Sequence, residues 1–405
     1  MERVVITGIG AVTPLGLTFR DSWAQLKMGV SGIGALTRFD SSGLKWKLAG
    51  ELKGFDPDAF LPPREARVLD PFVSYAAAAA SMAAGDAGLT ASAYADRFRD
   101  ASVILGSSRA GITTIESAAQ TLAEGKKRLS PFVMPVSTLY LAPSTVAWML
   151  GIQGECLGVS TACASGLHAL GEAFRQIRAG ITTLALAGGT EAPLCRTCIE
   201  GYGAAGALSS GTTPDASRPF AMKRDGFILS EGACMLVLEN YAGAVKRNAN
   251  IYAEIVGYAN VTDAHHMTRP RLSSQIHALQ KALRDAHLYP DDIDFVNAHG
   301  TSTPIGDAVE SAAIRSVFGG RSMPVTAAKS MTGHMLAASA AFEAACSAMT
   351  LADGYIPPTI NLSQPDPSCD LSFVTRLEKT DATHALTQSF GFGGANAVLI
   401  LKKCR

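Results

Sequence analysis

An excess of charge of either sign is missing from this chain. Its 405 residues carry 35 Lys+Arg and 35 Asp+Glu, so it lacks the basic footprint that a nucleic-acid partner requires. Charge is also scarce, at 17% of residues against 47% hydrophobic, which excludes a disordered chain and points to a large interior. A chain of this size buries roughly three quarters of its unfolded surface, and extensive subunit burial fits the balance. Long hydrophobic runs are lacking too. The most apolar stretch, VSYAAAAASMAAG, is short, built of small residues and closed by Asp86, which describes a buried helix rather than a membrane span. The opening MERVVITGIG has no extended apolar region of a secretory signal, so a cytoplasmic location is the expectation. Eight scattered cysteines are too few for a disulfide scaffold and suit a reducing compartment.

What is present is alternation. Strand-like runs (VVITGIG, ASVILGS, TTLALAGG, ACMLVLEN, IYAEIVGY, DIDFVNAHG and AVLILKK) are interleaved with Ala-rich runs that predict helices over 73–88, 164–179, 272–287 and 335–352. That pattern implies a layered α/β body. The one plausible seam is the polar stretch at 246–252, which divides the chain into halves of 1–250 and 251–405 that must share one core.

Several motifs fail on their chemistry. Gly8 and Gly10 follow a strand-like run, but the third glycine of a dinucleotide fingerprint is absent and Pro14 interrupts the helix that would hold a pyrophosphate. Cys195 and Cys198 form a lone CxxC with no second pair at zinc spacing, so packing is the better reading. His265 and His266 have no third ligand nearby.

Cys163 is different. VSTACASGLHALGEAFRQIRAG places it at a strand-to-helix turn, where free backbone N–H groups and the helix dipole can draw a thiol from about 8.5 toward 3.5–7.5. The last third adds His299 in NAHGTSTPIGDAVE, just after a strand-like run, and Lys329 and His334 in TAAKSMTGHMLAASAAFEA. A cysteine, two histidines and a lysine, each bordered by Gly, Ser, Thr or Ala, make a catalytic site.

With these residues in view, the chain resembles the β-ketoacyl-acyl-carrier-protein synthases of the synthase II type, within the thiolase-like condensing enzymes. The resemblance runs from VVITGIGAVTPLG through TACASG, GGTEA, SRPFAMKRDGFILSEGA, DAHHMT, NAHGTSTPIGD and KSMTGH to SFGFGGANAVLIL. It implies a thiolase-like α/β fold, two similar halves packed as a five-layer α-β-α-β-α sandwich. It also implies a homodimer joined by extending the sheets across the interface. The activity it implies is decarboxylative condensation of an enzyme-bound acyl group with malonyl-acyl-carrier protein. No cofactor is required beyond the carrier's own phosphopantetheine.

By the same resemblance Cys163 accepts the acyl group, while His299 and His334 activate the malonyl group. Lys329 supports the histidines and is expected to pair with Glu310, with Asp307 as a further supporting residue. The backbone N–H groups of Cys163 and Phe392 are the expected oxyanion donors, and the Phe392 ring is the expected gate. Thr301 and Thr303 match contacts to the phosphopantetheine arm. Asn297, Glu343 and Asn396 match positions that hold a monovalent cation in relatives. Arg64, Arg67, Lys126, Lys127 and Arg128 match basic docking residues for the acidic carrier. Two departures bear on substrate. GSSRAGI places Arg109 near the expected wall of the acyl pocket, where its alternatives are to pair with an acid, to point to the dimer interface, or to mark a shorter or more polar acyl chain, and Gly206 stands where relatives often carry a docking arginine. A degradative thiolase would need a second cysteine in GFGGAN, which has none. The alternative that remains is a pocket-shaping subunit of a ketosynthase heterodimer. Pathway and chain length stay open.

Overall fold

The computed structural model of the chain describes residues 1–89, 98–125 and 128–404. In the first half the strands are β1 (Val4–Val12), β2 (Ile33–Ala35), β3 (Leu48–Gly50), β4 (Ser102–Gly106), β5 (Cys156–Val159), β6 (Leu184–Glu191) and β7 (Gly232–Asn240). The second half adds β8 (Ala253–Thr262), β9 (Phe295–Asn297), β10 (Pro324–Thr326), β11 (Tyr355–Ile356), β12 (Ser372–Phe373), β13 (Glu378–Lys379), β14 (His384–Gly391) and β15 (Ala395–Lys402). Six helices matter for the site: α1 (Pro71–Asp86), α2 (Leu141–Leu150), α3 (Ser165–Arg178), α4 (Leu272–Ala286), α5 (Pro304–Phe318) and α6 (Ala337–Asp353). The four helices predicted from the sequence fall within two residues of α1, α3, α4 and α6.

Eleven strands are hydrogen bonded in the order β12-β10-β9-β14-β15-β8-β1-β7-β6-β4-β5. The halves join at β1 and β8, antiparallel, with Val4 opposite Ile255 and Ile6 opposite Ala253. Side chains leave a strand on alternating faces, and here both faces are apolar because both are covered. Val103 and Leu105 of β4, Leu186 of β6 and Val237 of β7 pack with Phe72 and Ala79 of α1 and Val146 of α2. Their neighbours Ile104, Ala187 and Leu236 face the other way and meet Leu167 and Phe174 of α3 and Phe342 of α6, which also receive Leu399 and Leu401 of β15. Val398 and Ile400 leave the opposite face of β15 toward Leu279 and Leu283 of α4 and Ile314 of α5. The layers are therefore helix, sheet, helix, sheet, helix, as expected, with α3 and α6 shared in the middle. Strands on both sides of the β1–β8 join send side chains to that shared layer.

Gly8 and Gly10 have a packing role in this stack. A Cβ on either would stand 2.3 Å from Ala83 O or 2.1 Å from Ala79 O, so their absence lets α1 lie against β1. Cys195 caps the helix Arg196–Ala204, and it and Cys198 are buried among Ile199, Leu208 and Phe227, which is the packing role read from the sequence. Among the described residues no helix is long and apolar enough to cross a membrane.

Candidate active site

Cys163 lies in the turn between β5 and α3. Ala162 has φ of 52°, and the turn is held by Thr161 N–H donating to Ser165 Oγ (2.8 Å) while Ser165 Oγ–H donates to Ala162 O (2.6 Å). The Cys163 Sγ sits 3.1 Å from His334 Nε2. His334 occupies the bend between the short helix Lys329–Thr332 and α6. It is fixed by its N–H donating to Ile228 O (2.7 Å) and by edge packing on Phe227, 5.0 Å between ring centroids. His299 follows β9, its ring 5.4 Å from that of His334. Ligand-type atoms of Cys163, His299 and His334 all lie within 4.8 Å of one another, and this is the one such cluster among the described residues.

Lys329 organises this cluster from behind. Its buried Nζ lies 2.5 Å from His299 O, 3.3 Å from His299 Nδ1 and 2.5 Å from Glu343 Oε1, three acceptors for three ammonium protons. The carboxylate partner is thus Glu343, which corrects the expected pairing with Glu310. Glu310 is already committed, accepting from His299 N (2.6 Å), Gly300 N (2.8 Å) and Gln388 Nε2 (2.6 Å). Asp307 accepts from Phe220 N (2.7 Å) and Ser302 N (3.1 Å), so it shapes the turn beyond His299 without touching either ring. With the ammonium donating to Nδ1, the ring proton of neutral His299 sits on Nε2.

Burial, with the Lys329 charge second, holds both His299 and His334 well below the usual histidine range. Both rings are neutral at physiological pH. Burial also pushes the Cys163 thiol up to about 11, against the pull of Lys329. The helix start from which an acidified thiol was expected is present, and desolvation acts on the thiol in the opposite direction. The resting pair is a thiol against a neutral imidazole, and such a base takes the proton as the sulfur attacks.

Residues 1–244 match the family described as Beta-ketoacyl synthase, N-terminal domain, and residues 252–363 match its C-terminal domain. The 3-oxoacyl-[acyl-carrier-protein] synthase 2 of Staphylococcus aureus is 42% identical, over 99% of this chain and 98% of its own. The ishigamide ketosynthase/chain length factor superposes with a TM-score of 0.94 at 36% identity, and a type II polyketide ketosynthase in complex with its acyl-carrier protein with 0.91 at 33%; each alignment covers both chains completely. The chain belongs to the beta-ketoacyl synthase family.

Other expected residues of this synthase are distributed around a cavity of about 340 Å³ that ends on Cys163 and the two histidines. Thr301 and Thr303 line it with their hydroxyls 3.0 Å apart. Phe392 lines it as well, half-buried against the apolar cluster that holds Leu336 and Tyr202. The loops carrying Cys163 and Phe392 are in close approach: a Cβ on Gly391 would lie 2.6 Å from Thr161 O and 3.2 Å from Cys163 N. Arg109 does not line the cavity. It is exposed, its guanidinium 5.7 Å from the centroid of Tyr202, which does line it. Staying in solvent spares the cation the cost of desolvation beside an acyl chain. Arg64, Arg67 and Arg128 are exposed, while Lys126 and Lys127 lie outside the described residues.

The three expected cation ligands do not gather. Asn297 Nδ2 donates to Glu343 O (3.0 Å) and Ser347 Oγ (3.3 Å), which leaves Asn297 Oδ1 and Glu343 Oε2 buried without partners. Asn396 instead donates to Asp263 Oδ1 (2.8 Å), because Asp263 belongs to the loop that β15 abuts. Sequence reasoning missed Ser389, whose hydroxyl donates to Cys163 O (3.1 Å) and lies 3.4 Å from His299 Nδ1. It missed Gln388 as well. The signal was a run of three polar residues, Thr387-Gln388-Ser389, all buried within β14.

Proposed function

We propose that this chain catalyses decarboxylative Claisen condensation in fatty-acid or polyketide elongation, taking both substrates from acyl carrier protein and working as a cytoplasmic dimer. The observation that carries this is the Cys163 Sγ to His334 Nε2 contact of 3.1 Å, backed by the His299–Lys329–Glu343 chain. The half up to residue 250 supplies the nucleophile, and the half from 251 supplies the His/Lys/His set.

In the first step Cys163 Sγ attacks the acyl thioester carbon while His334 Nε2 takes its proton. The oxyanion is met by the N–H groups of Cys163 and Phe392, whose loops the Gly391 approach brings together. The carrier's thiolate leaves and receives that proton, and the Phe392 ring then admits malonyl-carrier. In the second step the malonyl carboxylate departs as CO2, leaving its electron pair in an enolate. His299 donates from Nε2, the tautomer fixed by Lys329. His334 Nδ1 has no hydrogen-bond partner among the described residues, so neither tautomer of that ring is locked by Nδ1, and Nε2 serves as acceptor in the first step and donor in the second. The enolate carbon attacks acyl-Cys163, forming the new C–C bond and breaking the thioester C–S bond, and the Cys163 thiolate released takes a proton from solvent. No oxidant or reductant enters, so no redox cofactor is needed.

Thr301 and Thr303 present hydroxyls to the amides of the phosphopantetheine arm, and Arg64, Arg67 and Arg128 offer an acidic carrier exposed cations. The orphaned oxygens of Asn297 and Glu343 support a monovalent cation near Glu343. Dimer formation is supported at β5, which ends the sheet with Leu157 exposed, and by further exposed apolar side chains of this half, Leu122, Phe132, Met134, Tyr140 and Trp148.

The test is intact-protein mass spectrometry after mixing the purified chain with acyl-carrier proteins of several lengths and polarities, then adding malonyl-carrier. A Cys163-dependent adduct that vanishes as a two-carbon-longer ketoacyl-carrier forms establishes the reaction. No adduct with any primer, restored by adding a related subunit, would make the chain a pocket-shaping partner instead. His334→Ala is expected to accept acyl groups slowly and fail to condense, whereas Cys163→Ala accepts none.

A further inference from the structure

The cavity that ends on Cys163 carries one arginine or lysine among its described lining residues, and that residue is Arg269. It is exposed at the rim and makes no ion pair with any described residue. Its loop is a fixed one. His266 Nδ1 accepts the backbone N–H groups of Thr268 (3.1 Å) and Arg269 (3.2 Å), Met267 O accepts from Gly393 N (2.7 Å), and Arg271 N donates to Asp263 Oδ2 (3.0 Å). The turn is therefore pinned to the glycine-rich segment that carries Phe392. Gly206, which lines the same cavity, has no side chain to offer a charge.

The arm that must thread this cavity has a thioester at its inner end, two amides along it and one formal charge, a phosphodiester, at its outer end. Neutral hydroxyls of Thr301 and Thr303 lie inside, and the lone guanidinium lies at the rim. A guanidinium fork matches two phosphate oxygens at once. We propose that Arg269 is the residue that binds the phosphodiester of the carrier's phosphopantetheine arm and sets the depth to which the thioester reaches. This assignment rests on the condensing reading above.

The experiment compares acyl-pantetheine with acyl-4′-phosphopantetheine, substrates that differ only in the phosphate, by following Cys163 acylation in the full-length chain. The wild type is expected to favour the phosphorylated thioester by about ten-fold in kcat/KM, as a charge-assisted contact at a partly solvated rim would give. That preference shrinks as ionic strength rises. Arg269→Ala is expected to bring the ratio close to one, and Arg269→Lys to keep part of it, with melting temperatures checked for each variant. A wild type that treats the two alike, or an Arg269→Ala variant that keeps the preference, overturns the assignment while leaving condensation standing. If neither thioester nor acyl-carrier protein leaves an adduct on Cys163, the condensing reading fails and this one falls with it.

Discussion

Glu343→Gln is the substitution that most sharply separates the observed lysine partner from the one the sequence suggested. In the wild type Lys329 Nζ lies 2.5 Å from Glu343 Oε1, with both side chains almost wholly buried. The glutamine keeps size and an acceptor oxygen but removes the charge, and an uncompensated buried ammonium costs about 3–5 kcal/mol. That loss appears as reduced stability and as a Lys329 ammonium no longer held in place by Glu343. An ammonium freed to move away presses less on His299, whose depressed pKa has burial as its first cause and the Lys329 charge as its second. The His299 pKa therefore rises, and the acid limb of the condensation profile moves to higher pH. Loss of a donor held in the right tautomer is worth on the order of 100-fold in decarboxylation rate. The assay is release of CO2 from malonyl-carrier across pH, with self-acylation by intact mass as the control that should fall much less. Glu310→Gln, which touches only the His299 and Gly300 backbone and Gln388, should leave the shape of the pH profile unchanged. If Glu343→Gln melts and decarboxylates like wild type while Glu310→Gln loses both, the reasoning about this pair is wrong.

Three further outcomes follow from the geometry. With the Cys163 thiol pushed up to about 11, its alkylation by iodoacetamide should still be accelerating at pH 10, because a raised pKa puts the gain in thiolate on the alkaline side; a curve that levels near pH 7, read by peptide mass at Cys163, refutes the buried-thiol account. Gly391→Ala would place a methyl 2.6 Å from Thr161 O, and since that contact is with backbone, acylation should fall at least about ten-fold, as for a displaced oxyanion donor, with little change in unfolding temperature. Leu157→Arg on exposed β5 should leave the fold intact and convert a dimer to monomers by sedimentation velocity; a dimer that persists moves the interface elsewhere.

The middle layer explains why half of the site was legible in the sequence and half was not. Cys163, His299, Lys329 and His334 all stand where a strand or turn meets a helix start, and those junctions are visible as a change from β-branched residues to Ala-rich runs. Helix α6 is different. AASAAFEAACSAMTLAD reads as a buried apolar helix, and Glu343 inside it is an isolated acid whose burial in an alanine-rich layer demands a cation. The demand is local, but the identity of the cation is not: Glu310 and Glu343 are both near enough in sequence to serve Lys329. Only the placement of Glu310 beneath the His299 backbone removes it from the choice. Arg109 shows the converse case, since a position just past β4 does not say which way a long side chain turns, and this one is exposed with its guanidinium toward Tyr202.

The same layer also explains how a nearly neutral, weakly charged chain keeps a buried lysine at its active site. Burying Lys329 behind His299 and against α6 is costly unless every proton of its ammonium is accepted, and His299 supplies two of those acceptors while Glu343 supplies the third. Each contact therefore has two consequences: it holds a cation that the fold would otherwise expel, and it fixes which nitrogen of His299 faces the cavity. His334, by contrast, has no partner for Nδ1 among the described residues, and its ring is oriented by Phe227, the His299 ring and Cys163 Sγ. One histidine is locked and the other is not, and a reaction that must first remove a proton from sulfur and then donate to an enolate oxygen needs that difference. A substitution that gave His334 Nδ1 a fixed donor partner would lock the ring with Nε2–H outward, which should suppress acylation of Cys163 while sparing decarboxylation, the reverse of losing Glu343.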